Sequence, residues 1–319
     1  MMNLNERARQ MLEATEGKAE DLGISVHKFR CGTKLFDCGA AASGGVQAGL
    51  LMVQVGMAGL GSTWIEKKPT AGMPWMWISV LSDHPLEACY LSQAAHWAVD
   101  DGEFRAMGSG PGCLLNPNLG VGQALGYHEK SEKAVLILES PGLPGDESCR
   151  KLADLCEVDP ENLTLMVAPT ACLAGSVQIA ARSLETGLHK LHQIGFDLRK
   201  VTSGMGSCPI APPPGDNLTA LGWTNDMVFL GASVCLFLRG TPEEKMKRLA
   251  EEMPSSRSPM YGKPFLQVLK EVGGFYQVDP GLFAPAEVTL MSLDSGAVFH
   301  AGTIDESGLA AVLKGNNYD

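Results

Sequence analysis

Residues 135–139 and 163–168 are short, almost unbroken apolar runs, and the segment between them, residues 146–156, carries its apolar side chains at helical spacing. A strand that is apolar at nearly every position is covered on both faces, which is the condition of a parallel sheet with helices on its flanks. This strand, helix, strand succession predicts an α/β architecture. With 319 residues, 45% of them hydrophobic, the chain can bury a substantial core and lies between one large domain and two ordinary ones. Two lobes or one elaborate α/β unit are expected, with a division into residues 1–125 and 126–319.

The remaining segments fit this frame. A first helix is expected over residues 5–23, closed by glycine, then two short strands within 24–38 that turn at residues 31–33. Residues 43–61 interrupt an apolar run with glycines, which suits either a closely packed helix or backbone approach to a ligand. Strands are expected at 75–81, 104–111 and 227–238, and helices from Pro85 onward, at 242–253 and at 264–272. Residues 175–195 read as the longest unbroken helix, and the Gly/Pro-rich stretch 203–216 as irregular. Residues 287–304 alternate around Asp294, Ser295 and Gly296 as a hairpin, which is left open to join the first lobe.

The formal net charge of −11, with no block of basic residues, removes the footprint that nucleic-acid binding needs. Nine cysteines occur singly, with no CxxC pair, which fits buried thiols in a reducing compartment. The first 23 residues are charged and amphipathic, without the apolar run of a signal peptide or a membrane span. A cytoplasmic location is expected, with no membrane partner. His27, His84, His96, His128 and His300 are isolated, so no metal set is expected.

On the predicted helix, Gln178, Arg182, Glu185, His189 and His192 are spaced four, three, four and three, and share one face. One reading is a solvated face with an exposed Arg182–Glu185 pair worth about 0.3 kcal/mol. The other is a polar stripe facing a cleft, because residues 168–175 form a small-residue turn leaving a strand, where α/β sheets place their ligands. In that second reading the loop 203–214 is a wall over the helix. A carboxylate beside a guanidinium is kept ionised and oriented, and can take a proton from water. The glycine-rich segment 108–112 could offer amides to an anion, but it lacks the lysine of a phosphate loop. Cys172 reads as a buried structural thiol rather than a nucleophile.

The segments GSGPG (108–112), APTACLAG (168–175), SVQIAARSLETGLHKLHQIGF (176–196), TND (224–226), PSS (254–256), YGKPF (261–265) and DPGLFAPA (279–286) resemble, in order and spacing, those of methenyltetrahydromethanopterin cyclohydrolases of methanogenic archaea and methylotrophic bacteria. The likeness runs from about Asp37 to Gly302. It implies an α/β, two-lobed subunit with mixed sheets and a pocket between the lobes, a homotrimer, no metal and no permanently bound cofactor, with a tetrahydromethanopterin derivative as substrate. The family's catalytic Arg and Glu match Arg182 and Glu185. Substrate contacts are expected from Gln93, Ser109, Gly110, Thr170, Gln178, His189, Asn225 and Asp226.

Three positions depart from the pattern. Ala94 follows Ser92 and Gln93 where a lysine is usual, and Cys113 and Trp223 stand where arginines are usual. Basic groups are the ordinary partners of phosphate and carboxylate, so altered recognition of the acidic cofactor tail is expected. The competing expectations are a non-catalytic pterin-binding protein, and a cyclohydrolase for a tail-modified pterin or a folate analogue.

Overall fold

The computed structural model describes residues 3–94, 97–120, 122–127 and 129–315; His96 and His128 therefore lie outside the described residues. In chain order, α1 (Leu4–Thr15) is capped by the Asn3 side chain, which accepts from the Glu6 amide, and two short helical turns carry the chain to a left-handed Gly23. The hairpin β1 (Ser25–Lys28) and β2 (Lys34–Asp37) follows, then α2 (Val46–Gly56). Next come the long hairpin β3 (Ser62–Thr70) and β4 (Met73–Ser82), a wide helical segment Leu86–Gln93, and β5 (Trp97–Asp100) with β6 (Arg105–Ser109). The predicted strand, helix, strand unit is β7 (Ala134–Glu139), α3 (Asp146–Leu155) and β8 (Leu163–Ala168). Beyond it lie α4 (Leu173–Ala180), α5 (Ser183–Gln193), β9 (Val201–Pro209), α6 (Asn217–Gly231), β10 (Ser233–Leu238), α7 (Glu243–Glu252), α8 (Phe265–Val272), β11 (Glu287–Ser292), β12 (Val298–Gly302) and α9 (Glu306–Leu313).

The chain is α/β and builds two mixed six-stranded sheets, in the orders β1-β2-β8-β7-β6-β5 and β12-β11-β10-β9-β4-β3. They belong to two compact units that are not contiguous in sequence: Met1–Gly61 with Glu87–Gln178, and Ser62–Leu86 with Ile179–Asp319. A single division at residue 125 does not describe this. The β3–β4 hairpin leaves the N-terminal half to pair through β4 with β9, and the 287–304 hairpin joins that same sheet through β11 and β10.

In the first unit β2, β8 and β7 run parallel, and their side chains alternate between two cores. Leu136, Leu138, Leu165 and Val167 pack with Leu152 and Cys149 of α3. Val135, Ile137, Met166 and Ala168 pack with Leu12 of α1 and Ala48 and Met52 of α2. Strands apolar on both faces therefore lie between two helical layers, which is why the runs show no alternation in sequence. Gly49 of α2 is in close contact with α4, since a Cβ there would lie 2.7 Å from Val177 Cβ. Of the two readings of the glycine-rich segment, the packed helix is the one found.

Three sequence expectations are corrected. Residues 175–195 are not one helix: α4 and α5 are separated at Ala181–Arg182. There the Arg182 amide bonds back only three residues, to Ile179 O, and the Arg182 carbonyl accepts from both the amide and the hydroxyl of Thr186; such back-bonding bends helices. Residues 203–209 are not irregular but form most of β9, a central strand; only the proline-rich 210–216 lacks regular structure. Residues 227–231 end α6 rather than begin a strand, because this helix end is buried on all sides and loses its amphipathic signature.

Candidate active site

In the second unit, α5 lies on its sheet with almost no intervening side chain. A Cβ on Gly206 would be 2.6 Å from the Leu184 amide nitrogen and 2.6 Å from Ser183 Oγ, and one on Gly204 would be 2.7 Å from Leu184 Cδ1. Gly187 closes the contact from the helix side, against Val234 of β10. These glycines serve close backbone approach, and they fix the first turn of α5, where Glu185 sits three residues after Arg182 at the N-cap. A negative charge there lies at the favourable end of the helix dipole.

From Arg182 to His192, every residue is buried except Arg182, Glu185, His189 and His192, and these four are only partly exposed. The stripe read from the sequence is therefore neither core nor a fully solvated face. Burial, with the Lys190 charge beside it, holds His189 below the ordinary histidine range. Gln178, the fifth member of the predicted stripe, belongs to α4 and is buried.

We expect Gly206→Ala to reduce turnover by about 100-fold, since a misplacement of about 1 Å costs this much, while overpacking costs about 1–3 kcal/mol of stability. Gly204→Ala, whose new methyl meets only the end of the Leu184 side chain, is expected to be milder. Measured kcat and melting temperature for the two variants check this; equal, near-normal turnover would mean that β9 does not set the position of Glu185.

In the first unit the C-terminal ends of β7 and β8 bring together Thr170 and Gln178. Both donate to Glu139, the last residue of β7: the Thr170 hydroxyl to Oε1, and Gln178 Nε2 to Oε2 over a long 3.5 Å. Glu139 escaped the sequence reading; the available signal was a charge ending an apolar strand, at the edge where open α/β sheets bind ligands. Asp37 was missed too. Fully buried at the end of β2, it accepts from the amides of Gly39, Ala40, Ala41 and Ala42 at 2.7–3.0 Å. Burial alone would raise its pKa, yet the four amides hold it below the usual carboxylate range.

Ser109 and Gly110 are buried where β6 ends. Ser109 is 2% exposed, and Cβ atoms on Gly110 and Gly112 would lie 3.1 and 2.9 Å from Val135 O. The glycines of this segment let it pack on β7. Gln93 is buried at the end of the helical segment Leu86–Gln93. Cys172 accepts from the Gly175 amide, and burial raises its pKa, which suits a structural thiol. Among the described residues no group of three His, Cys, Asp or Glu side chains could hold a metal ion, and no helix is long and apolar enough to cross a membrane.

A family model described as Cyclohydrolase (MCH) matches residues 3–313. The chain is 38% identical over 308 residues to a methenyltetrahydromethanopterin cyclohydrolase of Methanospirillum hungatei, covering 96% of each chain. It is 39% identical over 305 residues to that of Methylobacillus flagellatus, covering 95% of this chain and 93% of the other. For the protein of Methanothermobacter marburgensis the identity is 38% over 313 residues, covering 96% and 97%. The chain belongs to the cyclohydrolase family.

Several signature segments of this cyclohydrolase hold one another in place. Asp226 of the TND segment accepts from the Phe265 amide at 2.9 Å and caps α8, whose own N-cap, Pro264, offers no side-chain acceptor. Asn225 donates to Leu221 O within α6. Ser255 bonds to Phe229 O and Pro285 O, Ser258 donates to Asp279, and the buried Lys190 reaches Gly281 O. Phe229, Phe265 and Phe283 pack edge to face within this framework.

Burial pushes the Asp226 carboxyl up to about 7, the Phe265 amide lowering it only in part. A raised folded-state pKa gives stability that is present below the unfolded value near ~3.9 and lost as pH rises through about 7. Asp226→Asn stays neutral and keeps an acceptor for Phe265. Its melting temperature relative to the native chain should therefore be more favourable at pH 8 than at pH 5; a difference independent of pH would refute the assignment.

Proposed function

We propose that this cyclohydrolase opens the methenyl bridge of methenyltetrahydromethanopterin to the formyl form, reversibly, as a cytoplasmic homotrimer in one-carbon metabolism with no permanently bound cofactor. The methenyl carbon lies between two nitrogens of a cationic amidinium. Glu185 takes a proton from water as the oxygen bonds to that carbon; the tetrahedral adduct then breaks one C–N bond, and the released nitrogen takes up a proton. Cation and water give the formyl product and one proton. Arg182 orients Glu185 and tunes its charge, while Gln93, Ser109, Gly110, Thr170, Gln178, His189, Asn225 and Asp226 are the candidate binding residues.

The observation carrying this reading is the partly covered stripe on α5, in which Arg182 and Glu185 stand one turn apart as the matching family motif requires. The test is to mix the purified chain with methenyltetrahydromethanopterin and with its folate counterpart, and to follow loss of the methenyl chromophore. Acceleration with the former is expected; no acceleration with either would favour a non-catalytic pterin binder.

The tail is the point of divergence. Ala94 and Cys113 are buried, and with Trp223 they supply no charge where the family pattern is basic. Reduced dependence on an acidic tail follows. Phosphorylated and truncated analogues should be turned over equally, and strict dependence on the phosphate would overturn this part of the reading.

A further inference from the structure

We infer that Cys31 and Cys149 form a site of reversible two-electron oxidation, which closes to a disulfide when the chain meets a hydroperoxide. Both residues belong to the first unit, Cys31 in the turn between β1 and β2 and Cys149 near the start of α3. Cys31 is partly exposed and packs against the core cluster that contains the buried Cys149. Cys31 Sγ donates to Thr33 Oγ1 at 3.4 Å, and the Cys149 thiol is hydrogen-bonded to both of these side chains. The surroundings hold the cluster from each side. The Cys31 amide donates to Asp146 Oδ1 at 2.8 Å, and the Thr33 hydroxyl donates to Pro160 O at 2.7 Å. A Cβ on Gly32 would lie 2.8 Å from Glu161 Cβ, so the turn rests closely on the segment after α3. The native fold has therefore already met the entropic cost of closing a long loop between the two thiols. Cys113 and Cys156 also lie near one another, but both are buried away from any oxidant in solution.

Exposure makes Cys31 the thiol that reacts first. Its sulfur attacks one oxygen of the hydroperoxide and the O–O bond breaks, leaving a sulfenic acid on Cys31 and releasing an alcohol, or water where the oxidant is hydrogen peroxide. The Cys149 sulfur then attacks the sulfenic sulfur; the S–O bond breaks, and the hydroxyl leaves as water with the Cys149 proton. Each sulfur gives up one electron and the peroxide takes up both. Burial, then the neighbouring Cys31 and Asp146 charges, push the Cys149 thiol up to about 12, which keeps it protonated and suits it to resolve the sulfenic acid rather than to attack the oxidant. Exchange with a small thiol, itself oxidised to a disulfide, restores the pair, so in a reducing compartment the cross-link is transient.

The test treats the reduced native chain with stoichiometric hydrogen peroxide, then alkylates it under denaturing conditions and maps its peptides by mass. A peptide linked through Cys31 and Cys149 is expected, with titratable thiols falling by two from nine and returning to nine after dithiothreitol. The oxidised chain should melt about 5 °C higher, because the cross-link restricts the unfolded ensemble. Cys31→Ser changes a partly exposed side chain, so the reduced protein should keep its native melting temperature, and peroxide should no longer raise it. Oxidation of Cys31 to a sulfinic or sulfonic acid while Cys149 stays free would overturn the inference. So would a disulfide mapped to any other pair, or the same rise in melting temperature in Cys31→Ser.

Discussion

Glu185→Gln is expected to lower kcat by about 10²–10⁴-fold, the range that a positioned general base supplies, while KM changes little. Glutamine keeps the size of the side chain and its place in the first turn of α5, packed on β9 through Leu184 and Ser183, but it cannot accept a proton from water. Single-turnover decay of the methenyl chromophore measures this directly. Turnover within threefold of the native rate would remove Glu185 from the chemistry.

The largest stability effect is expected at Asp37. Asp37→Ala removes the carboxylate that accepts from four consecutive loop amides, partly buried donors each of which costs up to about 1–3 kcal/mol when left unsatisfied. The effects are not additive, because the loop relaxes toward water; a total of about 3–5 kcal/mol is expected, read as a lower urea midpoint and faster amide exchange at residues 39–42. Asp37→Asn should fall between, keeping a single acceptor oxygen. The pH sign follows from the lowered carboxyl pKa: the stabilisation is present above the unfolded value near ~3.9 and lost as pH falls through the still lower folded value. The gap between the native chain and Asp37→Asn should therefore narrow below about pH 4; a constant gap would mean that ionisation plays no part.

Legibility in the sequence followed local pattern. The β7, α3, β8 unit was readable because strands covered on both faces must be apolar throughout, and the terminal hairpin because its turn residues are specific. The polar stripe at Arg182, Glu185, His189 and His192 was readable from helical spacing alone. The break between α4 and α5 was not, since it is made by hydrogen bonds at Arg182 and Thr186 that no spacing rule encodes. Strand β9 was mistaken for a loop because its glycines answer to the helix lying over them rather than to a turn. Glu139 stayed hidden because its partners, Thr170 and Gln178, come together only once β7 and β8 are paired. Asp226 was legible as a candidate substrate contact, but not its cap on α8, because Phe265 lies far from it in sequence.

The passage of the β3–β4 hairpin into a sheet built mainly from the C-terminal part of the chain constrains how the molecule can be made. On the ribosome, at about 5–20 residues per second, β4 is complete on the order of ten seconds before β9 exists to pair with it. During that interval one edge of a Trp- and Met-rich hairpin has no native partner, and an open edge of this kind invites pairing with a neighbouring nascent chain. Yield in a heterologous host should then depend more on translation speed and chaperone supply than on the final stability of the native state.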